Sequence, residues 1–193
     1  MARTKQYDEA DARAGLLATF LEKGYAEASL ADLEAGSGLN RRQIYNDFGD
    51  KRSLLLQAIQ DFKTAVVGPI LQPLERSALG ADAIRGTLLS MVDGADTAEG
   101  RLGCLMCNTS REPIAGDPDV REQLDSFFRR VEGAYRKTIH RALTLGELPP
   151  DTNSRTLARF FLGIHVSVCV LGRGGASKAV LRDLTSEALA KLG

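Results

Sequence analysis

The side chains best equipped for chemistry in this chain fall into two sets. The first is a row of hydrogen-bond donors in one short segment: Asn40, Arg41, Arg42, Gln43, Tyr45 and Asn46, with Lys51 close behind. A guanidinium offers paired N–H groups that match the two acceptors on the major-groove edge of guanine, and a glutamine amide matches adenine. A lysine at a helix start, beside free backbone N–H groups, suits a phosphate. The second set is a pair of thiols, Cys104 and Cys107, whose C-x-x-C spacing suits a disulfide or a soft metal. It is weak as a zinc signature, because no second ligand pair follows at finger-like spacing.

The donors need a platform, and their neighbours describe one. Ser29 is an N-cap candidate with Asp32 three residues on, and Leu30 and Leu33 supply the apolar face of a short helix. Gly36 and Gly38 end that helix in a turn. Asn40 then caps a second helix, and Gln43 stands where its side chain can reach back to the cap. Ile44 and Phe48, four apart, face inward and leave Arg41, Arg42 and Asn46 outside. Gly49 stops this helix and Asp50 caps the next, with Lys51 in its first turn. A short capped helix with an apolar back and an Arg/Asn/Gln front is suited to a DNA major groove.

The segment resembles the DNA-binding head of the tetracycline-repressor (TetR) family of one-component regulators. Leu33, Gly38, Leu39, Tyr45, Phe48, Lys51 and Leu54 fall in register with the family's turn, its recognition helix ending Tyr-x-x-Phe, and the following Lys. Glu34 and Ser37 stand where alanines are usual, and Arg42 where a small residue is common. Those departures bear on base preference, not on fold. The resemblance implies an all-α chain with a three-helix helix-turn-helix head and a helical-bundle body, acting as a repressor on double-stranded operator DNA. It also implies that Tyr45 donates its hydroxyl to a phosphate. The residues assigned to DNA are Ser29, Asn40, Arg41, Arg42, Gln43, Tyr45, Asn46 and Lys51. The plainer reading of Arg41 and Arg42 is a solvated helix face.

Composition narrows the classes. The 25 Lys and Arg balance the 25 Asp and Glu, so DNA attraction must come from local clustering of Arg41, Arg42, Lys51 and Arg52, helped by the N-terminal arm with Arg3 and Lys5. No long apolar run is evident and the N-terminus lacks the apolar core of a signal peptide, so neither a membrane span nor secretion is expected. Three cysteines, an odd count without a secretory mark, read as reduced cytoplasmic thiols.

Helical periodicity runs throughout. A first helix is expected from about Asp8 to Lys23, and a fourth from Lys51 towards Val67, where Pro69 and Pro73 should interrupt it. Residues 1–62 form the expected head and 63–193 the effector-sensing and dimerisation body, with Lys63–Pro73 as the joint. Further helices are expected over Asp82–Val92, from Leu102 to before Pro113, from Asp117-Pro118 through Ile139, and over Ser154–Leu171 and Ser177–Leu192. The helix of Leu157, Phe160, Phe161, Ile164, Val168 and Leu171 is apolar on more than half its circumference. It is either a fully buried core helix or one that also meets a second subunit. The resemblance implies the latter, a homodimer built from the two C-terminal helices.

The body reads as a sensor. Gly103, Cys104, Leu105 and Asn108 resemble a segment of one TetR branch, some members of which respond to electrophiles or oxidants. A thiol in the first turn of a helix, with Arg101 nearby, is expected to be acidified; the alternative is a buried packing cysteine. Met91, Phe128 and Phe161, with Met106, Phe127, Tyr135 and Phe160, supply enough apolar surface to line a pocket for a small effector. His140 and His165 read as satisfied core histidines. The competing class is a helical thiol-dependent redox enzyme using Cys104 and Cys107. No phosphate loop, nucleotide fingerprint or Ser/His/Asp grouping supports an enzyme, and no cofactor or metal is expected.

Overall fold

The computed structural model describes residues 7–193, so the N-terminal arm with Arg3 and Lys5 lies outside the described residues. Ten α-helices carry the described residues: α1 Glu9–Glu27, α2 Leu30–Ser37, α3 Arg41–Asp47, α4 Lys51–Phe62, α5 Gly68–Arg76, α6 Ala81–Ala95, α7 Leu105–Thr109, α8 Pro118–Thr144, α9 Ser154–Arg173 and α10 Lys178–Leu189. No strand occurs among the described residues. The all-α expectation holds, with a helix-turn-helix head at the N-terminal end and a helical body following it.

Local chemistry explains the head's sharp corners. Ser29 and Asp32 form a capping box at α2, and Asn40 and Gln43 form another at α3. Each satisfies two backbone donors that a helix start leaves open. Gly38 ends α2 in the left-handed region at φ 68°, where a side chain would be strained. Leu33, Ile44, Phe48, Leu54 and Phe20 then close a common core.

Pro69 and Pro73 do not interrupt the chain as expected. A π-helical turn over Lys63–Val67 joins α4 to α5, and Gly68 N–H bonds back to Lys63 O. Pro69 falls at the start of α5, where a missing N–H costs little, and the exposed Pro73 sits inside it. The expected joint is therefore continuous helix. Arg141 of α8 and Glu147 in the loop after it cap the end of α5 and the start of α6: Arg141 donates to Leu74 O at 2.7 Å, and Glu147 accepts from Ala81 N at 2.6 Å.

By length and mean hydropathy alone, Lys51–Arg76 and Ser154–Arg173 could cross a membrane, at 1.2 and 1.3 respectively, contrary to the sequence reading. Both pack one face against the bundle. The first carries Arg52 and Asp61 in ion pairs with other helices, and the second buries Phe161, Ile164, His165 and Val168.

Candidate nucleic-acid interface and sensor cavity

The short helix α3 turns Ile44 into the core and Arg41, Arg42, Tyr45 and Asn46 outward. Arg42 and Asn46 have no side-chain partner among the described residues, so their donors are free for an incoming ligand. The Arg41 guanidinium lies 6.0 Å from the centre of the Tyr45 ring, and the Tyr45 side chain is 49 % exposed. Gln43 and Asn40 spend their oxygens on each other's backbone N–H groups at 3.0 Å, which leaves their amide NH2 donors. The Ser29 hydroxyl is committed to Asp32 at 2.7 Å. Lys51 sits over the Tyr25 ring at 4.7 Å, with its ammonium 3.4 Å from Ala26 O. One member of the expected basic cluster is elsewhere. Arg52 forms a forked pair with Asp117 at 2.7 and 2.8 Å and also reaches Asp119, tying the head to α8. Its guanidinium is held even more firmly protonated by those carboxylates, and Asp117 is acidified in turn.

Two further clamps join head and body, and neither was legible in the sequence. Glu112, in the turn after α7, accepts from Tyr25 N at 3.0 Å and Ala26 N at 2.7 Å. These N–H groups are free because Gly24 breaks the helical path of α1 at φ 77°, ψ 175°. Arg173, at the end of α9, donates to Leu21 O at 2.8 Å, Glu22 O at 3.0 Å and also Leu102 O.

Beside the Arg173 clamp, whose partners Leu21 and Leu102 line it, lies a cavity of about 630 Å³, walled by α1, the α4–α5 rod, α6, the 97–103 segment and α9. Leu17, Leu21, Phe62 and Ile70 make its lining mostly apolar. Gly86 and Gly94 on α6 keep it open, since a Cβ on either would touch nothing within 4 Å. Of the residues expected to line a pocket, Met91 does so. Phe161 is fully buried against Tyr135, and Phe128 packs edge-on to Phe127. The largest aromatics fill the core because that is where they bury most surface; the space is left beside small residues.

Cys104 and Cys107 are buried, and Cys169 on α9 joins them. The Cys107 and Cys169 thiols hydrogen-bond with the Cys104 sulfur, and the backbone N–H groups of Cys107 and Met106 assist, so Cys104 is held well below the usual thiol range. Cys107 and Cys169 are correspondingly pushed up by that same contact. The cause differs from the one expected. Cys104 is the N-cap of the five-residue α7, not a first-turn residue, and Arg101 points to Asp96 at 2.7 Å. Behind the cluster, His165 meets the Tyr135 hydroxyl at 3.2 Å, and burial pushes it down to about 4. His140, by contrast, is exposed beside Ser154 at 3.2 Å. Among the described residues no group of three or more His, Cys, Asp or Glu could hold a metal.

Residues 14–58 match the family described as "Bacterial regulatory proteins, tetR family", and residues 80–183 match "Tetracyclin repressor-like, C-terminal domain". The chain belongs to the TetR family. An uncharacterized HTH-type transcriptional regulator of Bacillus subtilis (strain 168), YezE, is 28% identical over 193 residues, 100% of both chains. The HTH-type transcriptional repressor ComR of Escherichia coli (strain K12) is 23% identical over 190 residues, covering 97% of this chain and 90% of ComR. A solved cysteine mutant of the TetR family regulator CifR, complexed with operator DNA, has the same fold at TM-score 0.89 and 21% identity, covering 99% of this chain and 100% of its own. The protein is thus a DNA-binding TetR-family transcriptional regulator and not an enzyme.

In this TetR-family body, the thiol cluster depends on α9 meeting α7. Cys169 lies 62 residues beyond Cys107, so no local spacing announced it. The only signal was the odd third cysteine.

Proposed function

We propose that this TetR-family regulator is a cytoplasmic repressor that binds double-stranded operator DNA as a homodimer and releases it when its body is altered by a small apolar effector or by thiol modification at Cys104. One observation carries the DNA half of this reading: α3 presents Arg42 and Asn46 outward without partners while Ile44 and Phe48 hold its back in the core. Arg41, Tyr45, Lys51 and the amides of Asn40 and Gln43 flank them, with Ser29 at the start of α2. Base contacts come from Arg41, Arg42, Gln43 and Asn46, and phosphate contacts from Tyr45 and Lys51.

A single short helix reads few base pairs, and a twofold dimer reads two half-sites. Support for pairing comes from the outer face of α9 and α10, which leaves Phe160, Val170, Leu171 and Val180 at least 38 % exposed. Residues 1–62 act as head and 63–193 as sensing and pairing body, with the continuous α4–α5 rod carrying tilt between them. The Gly103-Cys104-Leu105 segment with Asn108 supports the thiol half of this reading, because it resembles the thiol-bearing branch of the family. An effector must favour the released arrangement over the bound one to act at all.

The test is an operator titration at fixed salt with Arg42→Ala. A lost base contact should weaken binding by roughly 1–3 kcal/mol and relax specificity at one position. Unchanged affinity removes Arg42 from the interface.

A further inference from the structure

We propose that the recess where the C-terminal half of α8 meets the start of α9 binds a doubly charged phosphate group, carried by a small organic phosphate monoester or by free phosphate. The site is separate from the DNA face and from the body cavity, and the operator and effector readings do not depend on it.

Uncompensated charge around one space carries the proposal. The recess holds about 570 Å³ and is lined by Gly133, Arg136, Lys137 and His140 of α8 and by Ser154 and Arg155 of α9. The α8 residues fall at i, i+3, i+4 and i+7, so they share one face. Two guanidiniums and an ammonium therefore border the same space, and among the described residues no carboxylate lines it. The chain does not lack acids, since its 25 Lys and Arg match 25 Asp and Glu. Neighbouring turns of the same helices are neutralised: Arg130 pairs with Glu75 at 2.8 Å, and Arg159 with Glu132 at 3.3 Å. Arg136 and Arg155 have no partner among the described residues. Lys137 reaches a backbone oxygen, that of Glu75, at 3.2 Å. Like charges held together without counter-ions repel one another, and an incoming anion relieves that repulsion.

The donor set selects phosphate. Planar guanidiniums offer paired N–H groups that match two phosphate oxygens. Three cations suit a dianion better than the single charge of a carboxylate. The Ser154 hydroxyl, 3.2 Å from the His140 ring, adds a polar contact. Asn153 takes up the Thr156 and Leu157 N–H groups, both at 3.0 Å, which leaves the first two N–H groups of α9 open beside the cations. A smaller recess of about 350 Å³ shares Lys137 and His140 and continues past Ala78 and Leu145, giving room for the organic part of an ester.

Position argues against two other occupants. Arg136 stands 19 residues beyond Asp117, about 28 Å along α8 from the carboxylate that holds Arg52. A duplex seated on α3 lies well outside hydrogen-bond reach of it. Phe160, on the apolar face that supports pairing, is five residues beyond Arg155, about 140° around α9. That face and the recess are therefore on different sides of the helix.

The test titrates the full-length protein by calorimetry with phenyl phosphate, inorganic phosphate and benzoate at matched ionic strength. Phosphate should bind, and benzoate, with one charge, about tenfold or more weaker. Phenyl phosphate binding tighter than inorganic phosphate marks an ester as the ligand; equal affinities mark free phosphate. Arg136→Gln combined with Arg155→Gln should weaken phosphate binding by about tenfold or more. Arg129→Gln, at an exposed arginine of α8 outside the recess, should leave it unchanged. Phenylglyoxal labelling of the wild-type protein, mapped by mass, decides the site even if a variant misfolds: phosphate should shield Arg136 and Arg155 and leave Arg129 reactive. Benzoate binding as tightly as phosphate, an equal loss in Arg129→Gln, or uniform shielding of all arginines overturns the proposal. Displacement of phenyl phosphate by duplex DNA of unrelated sequence overturns it in favour of a nucleic-acid contact.

Discussion

Glu112→Ala should loosen the head from the body by a measurable amount. The carboxylate accepts two backbone N–H groups, from Tyr25 at 3.0 Å and Ala26 at 2.7 Å, that Gly24 leaves without helical partners. Each hydrogen bond to a charged group contributes about 1.5–3 kcal/mol, so two would sum to roughly 3–6 kcal/mol if fully desolvated. Ala26 is exposed and Glu112 only partly buried, so water replaces much of what is lost. A loss of about 2 kcal/mol is the expected outcome, and for a chain of this size that lowers Tm by about 4–8 °C. Urea unfolding followed by circular dichroism measures it, with the slope unchanged from wild type. Glu112→Gln keeps one acceptor oxygen and should lose about half as much. A loss under about 0.5 kcal/mol for the alanine variant, at unchanged slope, would refute the clamp.

Three further outcomes are expected. Gly24→Ala should destabilise by about 1–3 kcal/mol, because φ 77° with ψ 175° is open only to glycine and the added carbon meets the Glu112 carboxylate at 3.0 Å; thermal melting checks it. Lys51→Ala should weaken all DNA sequences alike and lower the salt slope by about 1, read from titrations at several salt concentrations; a sequence-selective loss would contradict the phosphate role. His165 should make folding pH-dependent. The unfolded chain takes up its proton near 6.5 and the folded protein near 4, so between those values the unfolded state holds more protons and stability falls as pH falls. The full loss is about 3 kcal/mol, and His165→Asn should flatten the curve across that window.

The local parts of this molecule were legible because their causes are local. Capping boxes at Ser29–Asp32 and Asn40–Gln43, the left-handed Gly38, and the inward pair Ile44 and Phe48 depend on residues within four positions of one another. The same applies to the Asp117-Pro118 start of α8. Pro69 and Pro73 misled because the cost of a proline depends on the hydrogen-bond register around it, and the π turn over Lys63–Val67 shifts that register.

Which side chains meet across the fold was a tertiary decision. Arg52 sits among cations in sequence, yet it faces Asp117 and Asp119. Cys104 is acidified by thiols from its own helix and from α9, not by Arg101. The cavity lies beside glycines, alanines, aliphatic side chains and Phe62, whereas Phe127, Tyr135 and Phe161, which periodicity also singled out, are buried in the core. Spacing along a helix tells which face a residue takes, but which partner that face meets follows from packing elements far apart in the chain.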